Sequence, residues 1–184
     1  MQVKEVIKQV CEFMEKFDTI DAISAGEVLA GEDGEFGRSI VSCINLVLNE
    51  IATEFIPNIK IEKVNVSSGK LQFSDLSHGV IEILSVKDSV GNELDFESFA
   101  DHITLARSGM VEVRYNATPE TLSYDSEFET TIPARVLGYG VMREYYFIQT
   151  QYEDAGMWEE RFKNSLQALT RKKSNTVIAW RRWE

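Results

Sequence analysis

Apolar side chains open the chain at spacings of three and four: Val3, Val6, Ile7, Val10, Phe13, Met14 and Phe17. That spacing predicts one buried face of a helix over residues 2–17. The stretch DTIDAISAGEVLAGEDGE follows, rich in glycine, aspartate and small residues, and reads as a loop. Helical spacing returns from about residue 35 to residue 55, with Phe36, Ile40, Ile44, Val47, Leu48, Ile51 and Phe55 on one stripe. Asp33 is a candidate N-cap for this second helix, and Pro57 stops it.

The period then drops to two. IKIEKVNV (59–66) alternates apolar and polar residues, as a half-buried strand does, and LQF (71–73) and GVIEILSV (79–86) continue that character. DSVGNELDF carries Gly91-Asn92, a hairpin-type turn signal. HITLA (102–106) and MVEVRYNA (110–117) are two more strand candidates, joined through Ser108-Gly109. Residues 59–117 are expected to form a small antiparallel sheet of four to six strands. TPETLSYDSEFETT returns as a polar, acidic loop.

From Pro133, suited to a first helical turn, the chain runs through ARVLGYGVMREYYFIQTQ. Gly138 and Gly140 each cost about 1 kcal/mol relative to alanine inside a helix. Close approach of another helix is the expected compensation. After a turn at residues 152–154, Ala155, Trp158, Phe162, Leu166 and Leu169 share one face. Two long helices with so short a joint predict an antiparallel hairpin. Tyr139, Tyr145, Tyr146, Phe147 and Tyr152 read as its core and interface. The expected fold is α+β: a helical bundle of an N-terminal helix pair and a C-terminal antiparallel hairpin, with an inserted antiparallel β subdomain. The divisions fall at residues 1–57, 58–125, 126–170 and 171–184, the last an extended basic, aromatic tail.

At 184 residues the chain suits one domain with an inserted subdomain. No apolar run approaches the ~18 residues needed to span a bilayer, so no membrane association is expected. The amphipathic N-terminus does not read as a signal peptide. Cys11 and Cys43 both sit in helical patterns, which predicts reduced thiols packed as small hydrophobes.

Charge changes the picture more. The net charge is −11, made of −14 over residues 1–131 and +3 over residues 132–184. An acidic body repels phosphates, which disfavours general nucleic-acid binding. The segment RKKSNTVIAWRRWE, residues 171–184, holds five basic residues and one acidic residue. A basic tail on an acidic body suits an acidic protein surface or a neighbouring copy of the chain.

Candidate chemistry is sparse. His78 and His102 lie 24 positions apart without nearby cysteine or paired-carboxylate spacing, and read as turn or strand-surface residues rather than metal ligands. A thiolate at Cys11 or Cys43 would be unfavourable on an apolar stripe. Glu32-Asp33 and Glu159-Glu160 are sequence neighbours, which do not face each other on a helix. GEDGEFG does not fit the spacing of a calcium loop. Phosphate loops, a serine elbow and zinc pairs are absent. No catalytic, metal or cofactor-binding residue, no cofactor and no enzymatic activity are expected.

The element order, with GEDGEFGRSIVSCINLVLNEI opening the second helix and IPARVLGYGVMREYYFIQTQYEDAGMWEERFKNSLQAL closing the helical part, resembles bacteriophage head–tail connector proteins. These are also called adaptor or head-completion proteins, and tail tubular protein A is a relative. The last block is similar to the family's final hairpin: a proline after an acidic linker, a small-residue and aromatic helix, a brief acidic turn, then a helix of the type AGMWEERFKNSL. VEVRYNATPETL is similar to its last strand and linker. The β insert departs from the family, several of whose members are almost wholly helical.

The resemblance implies a structural virion protein of a phage or prophage, in the host bacterial cytoplasm before assembly. Its implied partners are the portal protein and a tail or stopper protein. The implied assembly is a ring between portal vertex and tail, dodecameric on the particle, through which DNA passes without specific binding. An acidic lining suits that passage. The tail then becomes an assembly arm whose partner-binding residues are Arg171, Lys172, Lys173, Trp180, Arg181, Arg182 and Trp183. The alternatives are another tail-assembly module, such as a tail terminator or baseplate adaptor, and a small cytosolic enzyme without a readable motif.

Overall fold

The computed structural model describes residues 1–173. It is an α+β protein with five α-helices and seven strands among those residues. The chain forms two compact units. One comprises residues 1–47 together with the chain from residue 121 onward, and the other is Leu48–Glu120.

In the first unit, α1 (Val3–Phe13) buries Val3, Val6, Ile7, Val10 and Cys11, the stripe read from the sequence. The helix ends sooner than residue 17. Glu15 takes φ 56°. The Lys16 amide donates to the Cys11 carbonyl at 2.9 Å and the Glu15 amide to Glu12 at 3.3 Å. These paired bonds close a helix C-terminus through a left-handed residue. The reversal breaks the helical phase, which leaves Phe17 61% exposed instead of on the buried stripe.

A second helix, α2 (Phe17–Ala25), lies where a loop was expected. The next, α3 (Gly31–Glu50), begins four residues before the expected start. Asp33 is therefore inside its first turn rather than capping it. There its carboxylate accepts a 3.2 Å bond from the Thr19 hydroxyl, and Thr19 is buried. Asn45 of α3 holds residue 122 from both sides, donating to the Leu122 carbonyl at 3.0 Å and accepting from its amide at 2.8 Å. The acidic stretch after residue 118 is likewise tied to the chain start, the Val3 amide donating to the Ser126 carbonyl at 3.0 Å.

Helices α4 (Ala134–Ile148) and α5 (Tyr152–Lys173) complete this unit, and the turn between them falls at residues 149–151 rather than at the expected 152–154, because Thr150 takes the left-handed conformation that ends α4. α4 packs on both α1 and α5. The glycines expected to permit close approach do so. A Cβ on Gly138 would lie 3.0 Å from Phe13 Cε2, and one on Gly140 would lie 2.9 Å from both Phe162 Cε2 and Val47 Cγ1. Phe162, Leu166, Val141 and Met142 are fully buried along the seam.

In the second unit, a π-helical turn (Ile51–Phe55) precedes β1 (Ile59–Val66), and the strands form two antiparallel sheets rather than one. The first has the order β1–β7–β3–β4, with β3 at Val80–Asp88, β4 at Glu93–Leu94 and β7 at Gly109–Ala117. The second has the order β2–β6–β5, with β2 at Lys70–Gln72, β5 at Phe96–Ser98 and β6 at His102–Leu105. Val66, Leu71, Val86, Ile103, Val113 and Tyr115 form a core shared by both sheets. Irregularities at Val80/Glu82 and Ile83/Ser85 shift β3 against β7, so its buried positions Ile83 and Val86 are three apart. Strict alternation would have spaced them by two. Buried Asn116 accepts from the Asn58 amide and donates to the Ala52 carbonyl, both at 2.7 Å, fixing the entry into β1.

Two glycines of the helical hairpin give opposite expectations. Gly140→Ala gains ~1 kcal/mol of helix propensity. It also forces a methyl into Phe162 and Val47, and overpacking costs roughly 1–3 kcal/mol. It should lower the denaturation midpoint. Gly156 has no neighbour within 4 Å of an added Cβ, so Gly156→Ala should raise stability by about 1 kcal/mol. Urea denaturation of both variants checks the pair.

Candidate functional site

Three places gather polar or aromatic side chains. The first is an aromatic group on the hairpin. Phe13 of α1 stacks on Tyr139 of α4 with ring centroids 5.3 Å apart and meets Trp158 of α5 at 5.1 Å. The guanidinium of Arg161 lies 4.9 Å over the Trp158 ring. Beneath them Arg143, only 8% exposed, lies 5.2 Å over the Phe162 ring and pairs with Glu144 at 2.6 Å. A buried guanidinium needs such compensation, because desolvating an unpaired charge costs several kcal/mol.

The five aromatics read together from the sequence divide by exposure. Tyr139, Tyr145 and Tyr146 are half-buried. Phe147 and Tyr152 are 60% and 62% exposed, at the turn between α4 and α5. Thr150 holds that turn with φ 60°, the Gln151 amide donating to the Tyr146 carbonyl at 2.9 Å and the Thr150 amide to Phe147 at 3.0 Å. This repeats the closure that ends α1.

The second place is a polar cluster on the β unit. Glu62 of β1 accepts the Tyr115 hydroxyl on one oxygen, and the Ser77 amide at 3.1 Å and hydroxyl at 3.0 Å on the other. Burial pushes the Glu62 carboxyl up, but these hydrogen bonds outweigh it and hold it below the ordinary carboxylate range. Burial, with the bond to Glu62, pushes the Tyr115 hydroxyl up to about 12. The His78 ring lies 3.5 Å from Glu62 on its Nδ1 side and 3.5 Å from Glu120 on its Nε2 side. Its buried Nδ1 makes no hydrogen bond at that separation. Because Ser77 donates to Glu62 rather than to His78, the cluster is not a serine–histidine relay. It anchors the segment before β3 onto β1.

His102 is elsewhere, bonded to Asp101 at 2.6 Å and stacked on Phe99. Among the described residues, no three His, Cys, Asp or Glu side chains are grouped to hold a metal ion. Cys11 and Cys43 are buried, and burial raises their thiols to about 11 and about 12. Both are therefore protonated near neutral pH, which removes the nucleophilic thiolate.

The third place is a cleft of about 510 Å³ on the helical unit, walled by Leu29 and Val41 with Lys4, Arg38, Tyr124 and Asp125. Lys4 pairs with Asp125 at 2.6 Å and lies 5.0 Å over the Tyr124 ring. The 26–30 segment reaches α3 because Gly34 has no side chain; a Cβ there would lie 2.8 Å from the Leu29 oxygen. Nothing in the spacing of residues 18–35 signals this cleft, which depends on how the loop folds back.

Of the expected partner-binding residues, Arg171, Lys172 and Lys173 belong by their backbone to the last turn of α5. Trp180, Arg181, Arg182 and Trp183 lie outside the described residues. No helix among the described residues is long and apolar enough to cross a membrane. No protein-family model matches the chain, and no curated protein matches it.

The Glu62 arrangement has a pH consequence. A carboxyl held low in the folded state contributes stability that is present above its unfolded value and is lost as pH falls through the folded value. Wild type should lose stability below about pH 4.5, the ordinary glutamate value. Glu62→Gln should be less stable near neutrality, and the gap should close on acidification. Denaturation curves of both proteins across that range test this; a gap independent of pH would show that the charge of Glu62 is immaterial.

Proposed function

We propose that the chain is a structural connector of a phage or prophage particle, binding the portal vertex on one side and tail or stopper components on the other, without catalysis. In this reading the α1–α3 region and the α4–α5 hairpin form a helical bundle, the β unit is an insert, and the basic, aromatic segment 171–184 is an assembly arm. The observation that carries it is the α4–α5 hairpin. It follows an acidic linker and Pro133, is closed by Gly138 and Gly140 against aromatic side chains, and turns through the short joint 149–151 into a helix whose first turn carries Glu153 and Asp154. Those are the features in which the sequence resembles the connector family.

Charge supports the same reading. A net of −14 over residues 1–131 would keep passing DNA from adhering to a ring lining. Glu62 accepts three hydrogen bonds from Tyr115 and Ser77, and both thiols are buried and protonated, which suits a structural role for these residues.

Mixing the protein with the portal protein encoded beside it and imaging the product tests the assignment. Rings on portal-bearing heads are expected, whereas a free hexamer or a complex with tail proteins alone would favour a different tail-assembly module. Deleting residues 174–184 tests the arm. The truncated protein should keep nearly the wild-type melting temperature and lose binding to portal-bearing heads. Normal head binding by the truncated protein would sink the arm assignment.

A further inference from the structure

The turned end of the hairpin leaves three apolar side chains uncovered. Phe147, Ile148 and Tyr152 are 60%, 55% and 62% exposed, and the Phe147 and Tyr152 rings meet edge to face at 5.5 Å. Glu153 and Asp154 follow Tyr152 in the first turn of α5. Glu144 and Glu159 are paired with Arg143 and Lys163, which leaves Glu153 and Asp154 as the carboxylates next to Tyr152. An exposed aromatic pair within an acidic stretch suits a ligand that is both aromatic and basic: rings stack on rings, and guanidinium groups meet carboxylates and π faces.

The chain carries such a ligand in TVIAWRRW, residues 176–183. Reach decides which copy supplies it. Trp180 is seven residues beyond Lys173, so an extended chain carries it ~23 Å from the end of α5. The 22 residues of α5 span ~33 Å between Tyr152 and Lys173. Trp180 therefore falls short of the tip of its own copy, and Trp183, ten residues beyond Lys173, only just regains ~33 Å at full extension, so the Trp180–Trp183 segment as a whole does not seat on that tip.

We propose that the Phe147–Tyr152 tip of one copy receives the Trp180–Trp183 segment of a second copy, head to tail, with Arg181 and Arg182 facing Glu153 and Asp154. The pairing rests on the connector reading for its use, and deepens it by naming the partner of the basic segment. Such a contact joins two different surfaces, so each added copy presents a fresh tip or a fresh segment. A repeated contact of that kind closes into a ring when its rotation closes.

The test is fluorescence anisotropy of a labelled peptide, SNTVIAWRRWE, titrated with the full-length protein. Binding that weakens with added salt is expected. The double variant Phe147→Ser, Tyr152→Ser should bind at least about tenfold more weakly, as loss of a central aromatic anchor does. Met157→Ser removes an apolar side chain of similar exposure (58%) elsewhere on α5 and should bind as the unaltered protein does. All three altered side chains are exposed, so the variants should fold, which circular dichroism checks. Equal binding by the double variant, or no binding by the unaltered protein, overturns the pairing. A protein that ignores the peptide yet decorates portal-bearing heads loses the pairing and keeps the connector reading. One that binds the peptide at the tip but never the heads keeps the pairing and loses that reading.

Discussion

The absence of a side chain at Gly140 is the constraint on which the helical unit depends. Phe162 of α5 and Val47 of α3 both occupy the space a Cβ would need, at 2.9 Å. Their approach sets the register of α5 on α4, and Phe162 is fully buried as a result. That register places the Arg143 guanidinium on the Phe162 ring, with Glu144 beside it. Two residues earlier, on the opposite side of α4, Gly138 admits Phe13, which joins α1 to Tyr139 of α4 and Trp158 of α5 through its ring contacts. Two missing methyl groups thus organise three helix contacts. The helix-propensity cost of two glycines, ~2 kcal/mol, is small beside the 3–5 kcal/mol at stake in one buried phenylalanine.

Elements with a long, regular period were legible in the sequence, and those set by backbone geometry were not. The stripe Val3 to Val10, the alternation of residues 59–66 and the hairpin after Pro133 each repeat often enough to fix a type. α2 has no such stripe: of its nine residues only Thr19 and Ile23 are buried. The reversals at Glu15 and Thr150 use left-handed residues that are not glycine, so no residue-type signal marks them. β4 and β5, two and three residues long, are too short to show a period, and without them one sheet could not be told from two. The tip was hidden for a related reason. Phe147 and Tyr152 look like core by composition, and only the turn between them puts both in solvent.

The β unit shows where polar chemistry has been committed to structure. Glu62 takes the Tyr115 hydroxyl and two donors from Ser77, and Asn116 bridges Asn58 and Ala52. Asp88 likewise accepts the Val90 and Asn92 amides, both at 2.9 Å, so the Gly91-Asn92 turn is closed by a side chain. Groups paired in this way shape the fold of the β unit.

At the hairpin tip the Thr150 and Gln151 amides close α4 by donating to the Phe147 and Tyr146 carbonyls. What remains open there is apolar surface. Three large side chains, each a little over half exposed, offer roughly 300 Å² for burial, given ~150–250 Å² for a whole aromatic side chain. At ~25 cal/mol per Å² this contributes about 7 kcal/mol at most, and the aromatic side chains that cover it contribute a comparable amount. Bringing two molecules together costs on the order of 4–15 kcal/mol before any contact is counted. One tip contact therefore exceeds the cost of association by a modest margin, so isolated copies should meet with measurable but modest affinity. A closed ring changes the balance. The last contact joins surfaces already held near each other, so it adds its burial without a second loss of translational freedom. On these magnitudes a single tip contact gives a modest affinity, and a closed set of such contacts would hold far more firmly than any one of them.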